Sequence, residues 1–176
     1  SPLARARHHL PRYLIMFYFP HDTPGEMGPT RIDAGSHLYS QMRLPTHATM
    51  PDFVPAGTVF LMHFDLGHAA YPNRTELTRY MVKFVFTRTE VPTGPGWRNE
   101  SVAWQTPETC IPAGELVRTW SAVWHWMRGS RQLLPASRSI PDLMRALAGT
   151  QAERLEAIYE LAAQDGAAPD LLAQVL

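Results

Sequence analysis

Up to Gly114 the chain sets short apolar runs between turns built from Pro and Gly, with no helical period between them. Residues patterned this way cannot be buried along a helix face. They must pair as strands, which argues for an all-β sandwich or jelly roll. Residues 12–19, RYLIMFYF, are continuously apolar and aromatic, as expected of a strand covered on both faces. Thr58 to Asp65 reads as a second strand and Arg79 to Arg88 as a third. In the third, Tyr80, Val82, Phe84 and Phe86 share one face, while Arg79, Met81, Lys83 and Val85 share the other. Arg31-Ile32-Asp33 fits a short strand before an Ala34-Gly35-Ser36-His37 turn. HDTPGEMGPT at 21–30 is turn chemistry, with Asp22 expected to bond its own backbone. Residues 38–57 read as a loop or excursion, and 91–114, with Trp97 and Trp104, as an ordered wrap over the strands.

After Gly114 the period changes. Glu115 to Arg128 spaces Leu116, Trp120, Val123, Trp124 and Met127 for one helical face. Shorter helical patterns follow at 140–148, 151–164 and 169–176. Gly149 and Gly166 stand where helices should stop, and Pro169 where the last should start. Paired short amphipathic helices of this kind look like the opening of a HEAT-type solenoid, a surface that could take a protein partner. The expected division is therefore 1–114 and 115–176.

A chain of 176 residues can bury one sizeable core with a small appendage. Sixteen acidic side chains balance sixteen basic ones, so no basic footprint points to nucleic acid or an anionic membrane. A single cysteine, Cys110, excludes an internal disulfide framework and suits a reducing cytosol, so a cytoplasmic location is expected. No apolar run approaches the roughly 20 residues needed to span a bilayer. The chain begins without Met and stops at Leu176 inside an apolar pattern. Excision of an initiator Met explains the first end, and a cut gene explains both.

The residues able to carry chemistry are few. His68 can offer a neutral imidazole to a transition metal, and Arg79, eleven residues on, a planar fork for a carboxylate. The ordinary alternative is a turn histidine and a strand-start cation. His63-Phe64-Asp65 is literally His-x-Asp, but one strand end would then have to deliver three ligands together with His68. Its expected role is structural. His8, His9, His37 and His47 are scattered, with His37 able to support a neighbouring site. His21-Asp22 lies in a turn, and His125 is expected to pack within the Trp120/Trp124/Trp126 helix. Cys110 has no spaced partner for nucleophilic catalysis, and no residue is assigned as a catalytic acid, base or nucleophile.

Taken together, EMGPTRIDAGSH (26–37), PAGTVFLMHFDLGHAAYPNRT (55–75) and TRYMVKFVFTR (78–88) resemble the phytanoyl-CoA dioxygenase family over about residues 12–97. The resemblance keeps the order and spacing of the GSH segment, the histidine, the Asn-x-Thr and the following arginine. It implies a mainly β protein with a double-stranded β-helix (jelly-roll, cupin-like) core in residues 1–114 and an α-helical, HEAT-like extension in 115–176. It further implies an enzyme, an Fe(II)/2-oxoglutarate-dependent dioxygenase that oxidises a small-molecule substrate with O₂. Carried over, His68 is the distal iron ligand and Arg79 binds 2-oxoglutarate. The family's His-x-Asp pair would fall at or before Ser1, and Ala70 stands where a serine is common. The site is thus expected to be incomplete within this chain. Two other readings stay open: a non-catalytic binding protein of the same fold, and a cupin-like metal enzyme using His63, Asp65 and His68.

Overall fold

The computed structural model describes residues 9–39, 48–98, 101, 103–105 and 116–164. The chain divides into two compact units, residues 1–89 and 90–176. Among the described residues the first holds short strands in small antiparallel sheets and the second three helices.

The apolar run of residues 12–19 becomes β1 (Tyr13–Tyr18), the centre of a three-stranded sheet flanked by β6 (Val59–His63) and β8 (Val82–Thr87). Both pairings are antiparallel, and Phe17 stands opposite Phe60 on one side and Lys83 on the other. A second antiparallel sheet places β3 (Thr30–Asp33) between β4 (Ala48–Thr49) and β7 (Gly67–Ala70). A two-residue ladder joins β2 (Thr23–Pro24) to β5 (Phe53–Val54). The pleat sends Ile15, Phe17 and Phe19 to one side of β1, where they form a buried cluster with Met62 and Val54. Ile32 of the second sheet packs against this cluster. Each of these large side chains contributes about 1.5–3 kcal/mol of burial.

Three details differ from the sequence reading. The second strand stops at His63, and His68 lies in a separate strand of the other sheet after a turn at 64–66. The third strand begins at Val82, so Arg79 precedes it. Asp22 does not bond its own backbone; its Oδ1 accepts the Ala56 N–H at 2.8 Å, tying two turns together.

In the second unit, α1 (Val117–Met127), α2 (Ile140–Ala146) and α3 (Gln151–Leu161) occupy three of the four expected helical stretches. Residues 169–176 lie outside the described residues. The local start signals are strong: Ser139 caps α2 with Pro141 in its first turn, and Thr150 and Glu153 form a capping box on α3. The α1 start has no cap of its own. Glu156 of α3 supplies it, accepting the N–H groups of Arg118 and Thr119, each at 2.9 Å. One turn later, Glu160 is 1% exposed. It accepts the N–H groups of Ser137 (2.6 Å) and Arg138 (2.7 Å) and the Arg138 Nε (2.8 Å), and lies 3.1 Å from the Arg118 Nε. Burial raises its pKa, but these donors outweigh it and hold the carboxyl at about 2. Gly129 (φ 78°) ends α1 against the backbone of Thr93 and Gly94, so part of the Pro- and Gly-rich stretch packs within this unit.

The lowered Glu160 pKa stabilises the fold above about pH 4.5, and that stability is lost as pH falls towards 2. At neutral pH the shift corresponds to about 3 kcal/mol. All five tryptophans lie between residues 97 and 126, so their emission reports the second unit. Glu160→Ala, which strands Arg118 and Arg138 around an empty acceptor, is expected to destabilise that unit by about 3–5 kcal/mol. It should also flatten the acid limb between pH 4.5 and 2, both read by Trp fluorescence in urea; an unchanged midpoint would show the network to be dispensable.

Candidate functional site

His68 is the second residue of β7, opposite Ile32 of β3. The preceding Gly67 is required by a close approach. Its N–H donates to Ser36 Oγ at 2.7 Å, and a Cβ there would stand 2.8 Å from the same oxygen. The His68 Nδ1 lies 2.7 Å from the Leu66 carbonyl oxygen. A carbonyl can only accept, so Nδ1 carries a proton and the neutral ring keeps its lone pair on Nε2. That tautomer, fixed by a backbone carbonyl, is the one a histidine ligand uses. The ring meets the face-buried Phe17 of β1 edge to face, 5.1 Å between centroids, and so points across to the other sheet.

Arg79 is half-buried at the end of the long connection from β7 to β8, and its Nη1 reaches the Met27 carbonyl at 3.4 Å. This connection is held along its length. The Tyr71 N–H donates to Pro29 O, and the Arg74 N–H to Glu26 O. Asn73 Oδ1 accepts the Thr75 N–H and hydroxyl, while its amide reaches Leu77 O at 2.7 Å. The crossing explains Gly28: with φ 70°, a Cβ there would lie 2.1 Å from the Tyr71 carbonyl oxygen. The motif glycine, the Asn-x-Thr turn and Arg79 are therefore one structural arrangement.

His21 has a role that turn chemistry did not reveal. Its Nδ1 donates to Asp22 O at 2.8 Å, and its Nε2 accepts the Tyr80 N–H at 2.9 Å, fixing the residue next to Arg79. The partner lies 59 residues away, so no local signal could have found it.

His63 and Asp65 shape the β6–β7 turn. Asp65 N–H donates to His63 Nδ1 at 3.1 Å, and the His63 ring lies 4.7 Å from the buried His37 ring. Among the described residues no group of three or more His, Cys, Asp or Glu could hold a metal ion, so His63, Asp65 and His68 do not form one. Ala70 closes β7 opposite Thr30. His125 of α1 is buried against Trp124, its pKa lowered by burial and then by Arg128. His8, His47 and Cys110 lie outside the described residues. Among the described residues no helix is long and apolar enough to cross a membrane.

Gly28→Ala is expected to cost well over about 1–2 kcal/mol, because it combines a left-handed backbone with a clash against Tyr71. Circular dichroism in urea measures the loss. The same change should move the Arg79 amide signal in an NMR spectrum; a silent Arg79 would mean the crossing does not place it.

Comparison with family models, with curated proteins and with solved structures finds no match to this chain.

Proposed function

We propose that the first unit is part of a double-stranded β-helix of the phytanoyl-CoA dioxygenase type. The complete protein, in this reading, is a non-haem Fe(II)- and 2-oxoglutarate-dependent dioxygenase acting on a small organic substrate. One observation carries the reading: His68 faces the opposite sheet with its Nδ1–H tied to Leu66 O, eleven residues before a half-buried arginine. The winding supports it, since the chain passes from β6 in one sheet to β7 in the other and back to β8.

The described residues supply one nitrogen donor, which is not a complete iron centre. The two further ligands, a His-x-Asp pair, would come from a segment outside them, so no reaction step is assigned to the metal. Fe(II) with 2-oxoglutarate and O₂ would supply the oxidation of a substrate C–H bond. His68 would contribute Nε2, oriented by the Leu66 carbonyl. Arg79 would hold the distal carboxylate of 2-oxoglutarate as a planar ion pair. Phe17 and the cluster around it would keep water from the inner side of His68. β8 lies at a sheet edge with every residue exposed, and β7 is an edge strand of the other sheet. The helical unit, read as the start of HEAT-type repeats, would offer a surface to a protein partner.

The complete protein is expected to release succinate from 2-oxoglutarate only with Fe(II) and O₂. His68→Ala should reduce that release by more than about a hundredfold. Arg79→Met should chiefly raise the KM for 2-oxoglutarate, by about tenfold or more. Succinate formation that survives His68→Ala overturns the reading.

A further inference from the structure

β8 begins only at Val82, and the residues just before it carry Arg79 to its place. The Arg88 N–H donates to Arg12 O at 2.7 Å, so the even-numbered residues of β8 turn their main-chain groups towards β1. The register ends with Tyr18 opposite Val82. Carried on by one more bonded pair, it would set Tyr80 opposite Pro20, which has no N–H to give. The ladder stops there, and a side chain takes it over. The Tyr80 N–H donates to His21 Nε2 at 2.9 Å.

The imidazole is fixed at its other end. Its Nδ1–H donates to Asp22 O at 2.8 Å, which leaves the lone pair on Nε2, and Asp22 Oδ1 in turn holds the Ala56 N–H. The Tyr80 ring stands perpendicular to that of His21, 6.1 Å between centroids. The flanking residues are held from the same stretch of chain. Arg79 Nη1 reaches Met27 O at 3.4 Å, and Met81 Sδ accepts the Thr30 hydroxyl at 3.5 Å. Both are long contacts made by flexible side chains, whereas the His21 bond is shorter and grips the main chain itself. The Met27 contact engages Nη1 and leaves the rest of the guanidinium fork for a carboxylate. His21 thus governs the direction in which Arg79 leaves the backbone, while the charge stays free to bind.

We propose that His21 is a positioning residue for Arg79. By holding the Tyr80 N–H it aims the guanidinium at the distal carboxylate of 2-oxoglutarate, and so sets the affinity for that acid without touching it. The role rests on the dioxygenase reading. A residue that only fastened a turn would change the stability of the fold and leave the KM alone.

Two polar variants separate these roles. In His21→Gln the amide oxygen can reach the place of Nε2. In His21→Asn it stops short of Tyr80, while the amide can still donate to Asp22 O. The measurement is succinate release by the complete protein with Fe(II) and O₂ as 2-oxoglutarate is varied. His21→Asn is expected to raise the KM for 2-oxoglutarate about fivefold with kcat unchanged, and His21→Gln to stay within about twofold of the parent. In an Arg79→Met background His21→Asn is expected to raise the KM no further, because the residue through which it acts is gone. An unchanged KM in His21→Asn overturns the proposal. So does an equal rise in both backgrounds, which would make His21 a support of the fold at large. A parent that releases no succinate overturns the dioxygenase reading and this proposal with it; a parent that releases succinate with a KM indifferent to His21 overturns this proposal alone.

Discussion

Phe17 is the contact on which the first unit turns. It sits at the middle of a strand bonded on both sides, so neither its height nor its facing can change without breaking two ladders. Its ring is fully buried, with one side chain of each sheet in contact: His68 at its edge and Lys83 over it. An aromatic pair of this geometry adds about 0.5–1.5 kcal/mol beyond area burial. The larger effect is positional. One ring separates the sheets where the His68 imidazole meets it.

The two units achieve stability by different means. The first relies on apolar residues that the pleat sends to one side, and its polar contacts mostly fasten turns. The second has a short apolar cluster, Leu143, Ala157 and Leu161. It adds a carboxylate pair on α3 that closes the start of α1 and the approach to α2. A buried charge costs several kcal/mol unless every lone pair finds a donor. Glu160 meets that condition, which is why its low pKa and its 1% exposure coexist.

What could be read from the sequence follows from how local the signal is. RYLIMFYF reads as a strand because eight consecutive residues agree, and 140–148 reads as a helix because Leu143 and Leu147 recur one turn apart. FLMHFDLGHAAY misleads, because apolar residues run through a sheet change that depends on a His63–Asp65 turn contact and on Gly67 meeting Ser36. The two-residue strands β2, β4 and β5 have no period to detect. In the candidate site, His68 and Arg79 are singled out in the sequence only by a motif resemblance. The His21–Tyr80 bond and the Phe17–Lys83 pairing are not singled out, since each depends on a register between distant strands. Glu156 and Glu160, one turn apart, look in sequence like an ordinary solvated helix face; only their distant partners make them structural.

The chain's preference for arginine, fifteen of its sixteen basic residues, matches the contacts its cations make. Arg118 uses its fork fully, with Nε on Glu160, Nη1 on Leu134 O and Nη2 on Ser137 Oγ. Arg138 places both its backbone N–H and its Nε on Glu160, and Arg128 lays its guanidinium over Trp124 at 4.7 Å. Those contacts need a plane with several donors. Lys83 makes no such set of bonds: its ammonium stands 5.0 Å from the centroid of the Phe17 ring on a strand whose residues are all exposed, so the charge keeps its water while the stem lies along the apolar side of the sheet.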